Sequence, residues 1–147
     1  MSGGGARTLN WRLLQRLLGE LADKIRVSGF KPDIVVGLGK RGWVFARLLS
    51  DRLGVSDLIT LHADSAIDVG RISPFNLRDR RILIALDVEE AAEALEGILK
   101  NLGDSGVSEV RTATLLLPRT SKVTVDYHHS MGESAIYPWE LHRHRGV

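Results

Sequence analysis

Two short apolar runs, Ile34-Val35-Val36 behind Asp33 and Ile82-Leu83-Ile84-Ala85-Leu86, constrain this fold more than any other feature of the chain. A run that does not alternate with polar residues marks a strand buried on both faces, and such strands belong to parallel sheets covered by helices. A segment of helical pattern follows each run. After the first comes a glycine-rich turn at residues 37–42, then a helix predicted over residues 43–53 and closed by Gly54. The second leads directly into a helix predicted over residues 87–102 and ended by Gly103. Upstream, Leu14, Leu17, Leu18, Leu21 and Ile25 fall at helical spacing and predict an amphipathic helix from about residue 9 to 27, with Gly29 near its end. Weaker strand signals follow at residues 58–61 and 110–117, the latter stopped by Pro118. Residues 62–81 form a long polar connection, and the tail holds Tyr127-His128-His129 and a short apolar piece at residues 135–139. Strands alternating with helices imply one α/β domain over residues 1–147, a mainly parallel sheet flanked by helices. In such sheets ligands bind beyond the carboxyl ends of the strands. The working edge therefore holds the turn after Val36 and the segment after Leu86.

Composition narrows the function classes. A chain of 147 residues and 16.2 kDa is the size of one core. Its 20 Lys+Arg against 18 Asp+Glu leave a formal charge of +2, too small for a sweeping polyanion-binding field, so nucleic acid is not expected as a partner without a local patch. Cysteine is absent, which excludes disulfides, thiolate nucleophiles and thiolate metal sites together. No apolar run approaches the length of a membrane span, and Met1-Ser2-Gly3-Gly4-Gly5 lacks the apolar core of a signal peptide. The expectation is a soluble, cytoplasmic protein with no membrane partner. Three Asn, one Gln, two Met and an excess of Arg over Lys (15 to 5) suit a thermophile source.

The turn Gly37-Leu38-Gly39-Lys40-Arg41-Gly42 matches G-x-G-x-x-G after a strand and before a helix, with Asp64 about 20 residues further on. Its physics is anion capture. Glycines let backbone N–H groups approach a ligand, and the helix N-terminus adds partial positive charge. The two cations at its tip, Lys40 and Arg41, point to phosphate or pyrophosphate more than to a dinucleotide, whose turn relies on backbone amides. A plain tight turn also accounts for the glycines.

Read together, the segments of the working edge resemble a known family. Residues 28–53 (SGFKPDIVVGLGKRGWVFARLLSDRL) resemble the first strand–loop–helix of the small purine-type (xanthine, guanine, hypoxanthine) type I phosphoribosyltransferases. Residues 81–95 (RILIALDVEEAAEAL) resemble their diphosphate-sugar motif. Residues 112–121, Asp126-Tyr127 and Tyr137-Pro138-Trp139-Glu140 resemble the later strands and the C-terminal end. The resemblance implies a type I phosphoribosyltransferase fold, a homodimer, and transfer of phosphoribose from phosphoribosyl diphosphate to a purine, with Mg²⁺ and release of pyrophosphate. On that reading Gly37, Gly39, Lys40, Arg41 and Gly42 hold the pyrophosphate. Asp87 holds the ribose and is the metal-side acid, and Glu90 is the acid/base at the base nitrogen. Glu89 lies between them, and Arg119 stands near the family's lysine for the purine exocyclic oxygen.

The sequence departs from the family pattern at several of these positions. Lys40 replaces an arginine, Arg41 a glycine, and Leu86 the first of two acids. The phosphate cradle Thr-Gly-Lys-Thr has become Ala91-Ala92-Glu93-Ala94, which removes two hydroxyls, a glycine and a cation and adds a carboxylate. At ~4 Å and an effective dielectric of about 20, two like unit charges repel by roughly 4 kcal/mol, so a 5′-phosphate is disfavoured beside Glu93. The base-stacking aromatic corresponds to Ser134. Helix capping accounts equally for Asp87 and Glu90, because a carboxylate before a helix and acids in its first turn favour its positive end. An Asp87/Glu89/Glu90 metal site is a third reading. These losses leave a second function open: a non-catalytic regulatory or nucleotide-binding protein on the same fold. Elsewhere, His128, His129, His142 and His144 read as solvated, Arg71, Arg78, Arg80 and Arg81 as a basic cluster, and Ser65 and Ser73 lack a recognisable base and acid.

Overall fold

The computed structural model describes residues 7–62, 77–131 and 135–140. In chain order these form β1 (Arg7–Thr8), α1 (Trp11–Val27), β2 (Ile34–Leu38), α2 (Gly39–Leu53), β3 (Asp57–Leu61), β4 (Arg81–Leu86), α3 (Val88–Asp104), β5 (Glu109–Pro118), β6 (Tyr127–Met131), β7 (Ala135–Ile136) and a final 3-10 turn (Pro138–Glu140). The main sheet has five parallel strands in the order β3-β2-β4-β5-β6, and β1 pairs with β7 in a separate parallel pair. The two apolar runs lie side by side near the centre, with Ile34 opposite Ile82 and Leu38 opposite Leu86.

Their sequence is continuous because each face meets a different helix layer. Val35, Leu83 and Ala85 pack with Leu14, Leu18, Leu21 and Ile25 of α1 and with Phe45, Ala46 and Leu49 of α2. Ile34, Val36, Leu38, Ile82, Ile84 and Leu86 pack instead against Val88, Ala91, Leu95, Ile98 and Leu102 of α3. Burying a Leu or Ile side chain contributes about 1.5–3 kcal/mol, so these two layers are the main source of stability and hold the central strands from both sides. Asn10 caps α1 by accepting a hydrogen bond from the N–H of Leu13 at 2.8 Å.

The glycine segment differs from its sequence reading. Strand β2 runs through Gly37 and Leu38, and α2 starts at Gly39 rather than Trp43, so there is hardly any open loop. Packing explains the glycines. A Cβ on Gly37 would lie 2.9 Å from the Cβ of Ala46, and one on Gly42 would lie 2.8 Å from the carbonyl oxygen of Ala85. Helix α2 thus crosses close over β2 and β4 where only glycine fits, while Gly39, at φ 78°, makes the bend from strand to helix. Sequence patterning also missed β6, whose Tyr127-His128-His129-Ser130-Met131 has too few apolar residues for a strand signal. That edge strand is anchored by its flanks. The Tyr127 hydroxyl lies 2.7 Å from Ser28 Oγ and accepts from Arg111 Nη1, while Asp126 Oδ2 accepts from the N–H of Thr112 at 2.8 Å.

Candidate active site at the carboxyl edge of the sheet

Because β2 and β4 are neighbours in register, the starts of α2 and α3 emerge side by side. This brings Arg41 together with Asp87 and Glu90, which lie far from it in sequence. Arg41 Nη1 is 2.9 Å from Asp87 Oδ2, and the backbone N–H of Arg41 donates to Glu90 Oε1 at 3.0 Å. Asp87 is buried, at 7% exposure, and its other oxygen accepts from the N–H of Glu89 at 3.0 Å, capping α3. Each carboxylate therefore serves a helix N-terminus: Asp87 its own, Glu90 the neighbouring one. Helix α2 has no side-chain cap from its own N-cap residue, Leu38. Glu90 supplies that acceptor from outside.

Next to this cluster lies a cavity of about 390 Å³ between the first turns of α3 and the segment leaving β5. Val88, Ala92, Pro118 and Val123 give it apolar walls, Glu89 and Glu93 line the α3 side, and Thr120, Ser121 and Lys122 line the other. It is large enough for a planar heterocycle, and it offers carboxylate acceptors facing hydroxyl and ammonium donors. Lys122, Thr120 and Ser121 were missed in the sequence. The signal was available, since they follow directly on the carboxyl end of a central-layer strand.

The expected site residues therefore separate into groups. Arg41, Asp87 and Glu90 come together; Glu89 turns to the cavity; Lys40 is exposed at the start of α2. Gly37, Gly39 and Gly42 are buried; Gly37 and Gly42 serve the close strand–helix contact, and Gly39 makes the bend. Arg119 is exposed in the turn after β5 and is not among the cavity's described lining residues. Ala91-Ala92-Glu93-Ala94 lies wholly within α3, so the place of the phosphate cradle is regular helix.

Other candidates lie elsewhere. Arg81 is at the amino end of β4, where its Nε is 3.5 Å from Asp33 Oδ2, so Arg81 and its neighbour Arg80 lie at the edge opposite the site. The Arg81 N–H bonded to Asp33 holds that carboxyl below its ordinary value. Tyr137 and Trp139 stack at 4.8 Å, with Trp11 tilted against Trp139, in the layer of α1. His129 Nε2 lies 3.0 Å from the carbonyl oxygen of Leu17. Asp64, Ser65, Arg71, Ser73, Ser134, His142 and His144 lie outside the described residues.

The arrangement does not fit a protein-held Mg²⁺. Both oxygens of Asp87 are engaged, by a guanidinium and by a backbone N–H, and no group of three metal-binding side chains occurs among the described residues. Nor is any described helix long and apolar enough to cross a membrane.

Comparison with known proteins agrees with this geometry. The family model for the phosphoribosyl transferase domain matches residues 6–142. Among solved structures, the chain is similar to a purine phosphoribosyltransferase from Pyrococcus horikoshii Ot3 (26% identity, TM-score 0.75, covering 92% of this chain and 94% of that one). It also shares its fold with the Helicobacter pylori xanthine-guanine-hypoxanthine phosphoribosyltransferase (17% identity, TM-score 0.74, 95% and 97% covered). The same holds for a hypothetical protein from Neisseria gonorrhoeae with bound ppGpp (20% identity, TM-score 0.73, 92% and 90% covered). No curated protein matches the sequence. A family match over nearly the whole length and a five-stranded parallel sheet covered by helices lead to one conclusion: the chain belongs to the phosphoribosyltransferase domain family.

Proposed function

We propose that this protein is a purine-type phosphoribosyltransferase, joining a nucleobase to phosphoribosyl diphosphate at the carboxyl edge of the sheet. One observation carries the reading. Arg41, Asp87 and Glu90, drawn from two separate strand–helix junctions, converge within hydrogen-bond distance beside a cavity of about 390 Å³. Lys40 and Arg41 supply positive charge at the start of α2 for the diphosphate. Asp87 takes the ribose hydroxyls on the oxygen that Arg41 gives up as it turns to the diphosphate, and Glu90 takes or returns the proton at the base nitrogen. The cavity receives the base, its flat faces against Val88 and Pro118 and its polar edge toward Glu89 or Lys122. Arg119 closes over it from the exposed turn. Catalysis is mostly positioning and stabilisation of the departing diphosphate. The reading carries with it a cytoplasmic homodimer.

A second reading is favoured by a specific observation. The cradle segment is helical, and it carries Glu93 where the resemblance calls for donors to a 5′-phosphate. A non-catalytic nucleotide-binding protein on the same fold explains that loss. Calorimetric titration with phosphoribosyl diphosphate and Mg²⁺, followed by pyrophosphate-release assays with guanine, xanthine, hypoxanthine and adenine, separates the two. Binding with release for any base supports the enzyme. Binding without release for all four supports the binding protein.

A further inference from the structure

The two helix starts at the carboxyl edge are already occupied by the chain's own charges. An anion bound at the start of α2 would accept hydrogen bonds from its first N–H groups. Glu90 Oε1 already accepts one of them, from Arg41 at 3.0 Å. The Arg41 guanidinium in turn lies 2.9 Å from Asp87, the acid expected to face the ribose. The Glu90 contact is made to a backbone N–H by a side chain that spans from α3 to α2. The Arg41 side-chain contact depends on a departure of this sequence from the family pattern described above. Arginine stands where a glycine would offer no side chain. Glu90 is exposed, so it can leave its position without uncovering any core.

We propose that Glu90 is a self-supplied anion: it fills the start of α2 in the unliganded chain, and a diphosphate binds there only by displacing it. This rests on the phosphoribosyl-ligand reading above and makes Glu90 the residue that sets the affinity of the site for anions. The carboxylate and a phosphate oxygen compete for one N–H and repel each other as like charges within a few ångströms.

The test is calorimetric titration of the full chain with inorganic pyrophosphate in EDTA, comparing wild type, Glu90→Gln and Glu90→Asp. Glutamine keeps the length and the acceptor oxygen but removes the charge. Aspartate keeps the charge but withdraws it from α2, and serves should the glutamine variant fold poorly. Glu90→Gln is expected to bind about tenfold more tightly than wild type, and Glu90→Asp to show a smaller gain. Measurable binding with equal or weaker affinity in both variants overturns the proposal and leaves the phosphoribosyl-ligand reading standing. No binding by any of the three at about 10 mM pyrophosphate overturns both.

Discussion

Asp33 and Gly42 show how single residues set the frame of the site from opposite ends of the sheet. Asp33 bonds the N–H of Arg81 at 2.8 Å, and that bond holds its carboxyl below the ordinary value of 3.8. A carboxyl depressed by folding contributes stability above its unfolded pKa and loses it as pH falls through the folded value. Stability should therefore decline on acidification below pH 3.8, and Asp33→Asn should flatten that part of the curve in urea unfolding measured across pH. Gly42 has no such electrostatic role. An added Cβ would meet the Ala85 carbonyl oxygen at 2.8 Å and the Leu86 Cα at 3.3 Å, both backbone and unable to yield cheaply. Gly42→Ala should cost about 1–3 kcal/mol in urea unfolding and push α2 away from β4. The glycines were legible in the sequence as a motif, but their reason was not. A G-x-G-x-x-G pattern records close backbone approach without saying whether a ligand or a neighbouring strand is what approaches.

Helix α3 is the element on which the functional question turns. Its start was legible, because Asp87 followed by Glu89 and Glu90 and a run of alanines encodes a capped helix, and the structure has one from Val88. What the sequence could not reveal was that Glu90 reaches the neighbouring helix, a contact made only when β2 and β4 pair in register. Asp87→Ala removes the cap and leaves Arg41 without that partner, so it should destabilise the protein by about 1–3 kcal/mol in chemical denaturation. Asp87→Asn, which keeps an acceptor for Glu89, should cost less. Replacing Ala91-Ala92-Glu93-Ala94 by Thr-Gly-Lys-Thr should strengthen binding of a 5′-nucleotide, measured by calorimetry. No change would mean that this segment does not correspond to the family's phosphate cradle.

At the scale of the whole molecule, the fold was the most legible property, since two unbroken apolar runs between helical patterns admit few arrangements besides a helix-covered parallel sheet. The β6 edge strand was not legible. Its polar sequence is held by Asp126, Tyr127 and the Arg111 side chain from β5, contacts that no local pattern announces. The near balance of 20 cations and 18 acids likewise conceals an uneven placement: Lys40 and Arg41 at one helix start, Asp87, Glu89, Glu90 and Glu93 at the other. The central claim is that these two starts together form the ligand site. The direct measurement is amide NMR of the full chain titrated with phosphoribosyl diphosphate and Mg²⁺. Saturable shifts concentrated at residues 39–42 and 87–93 are the predicted result. Shifts confined to other parts of the sheet, or none at millimolar ligand, would contradict it.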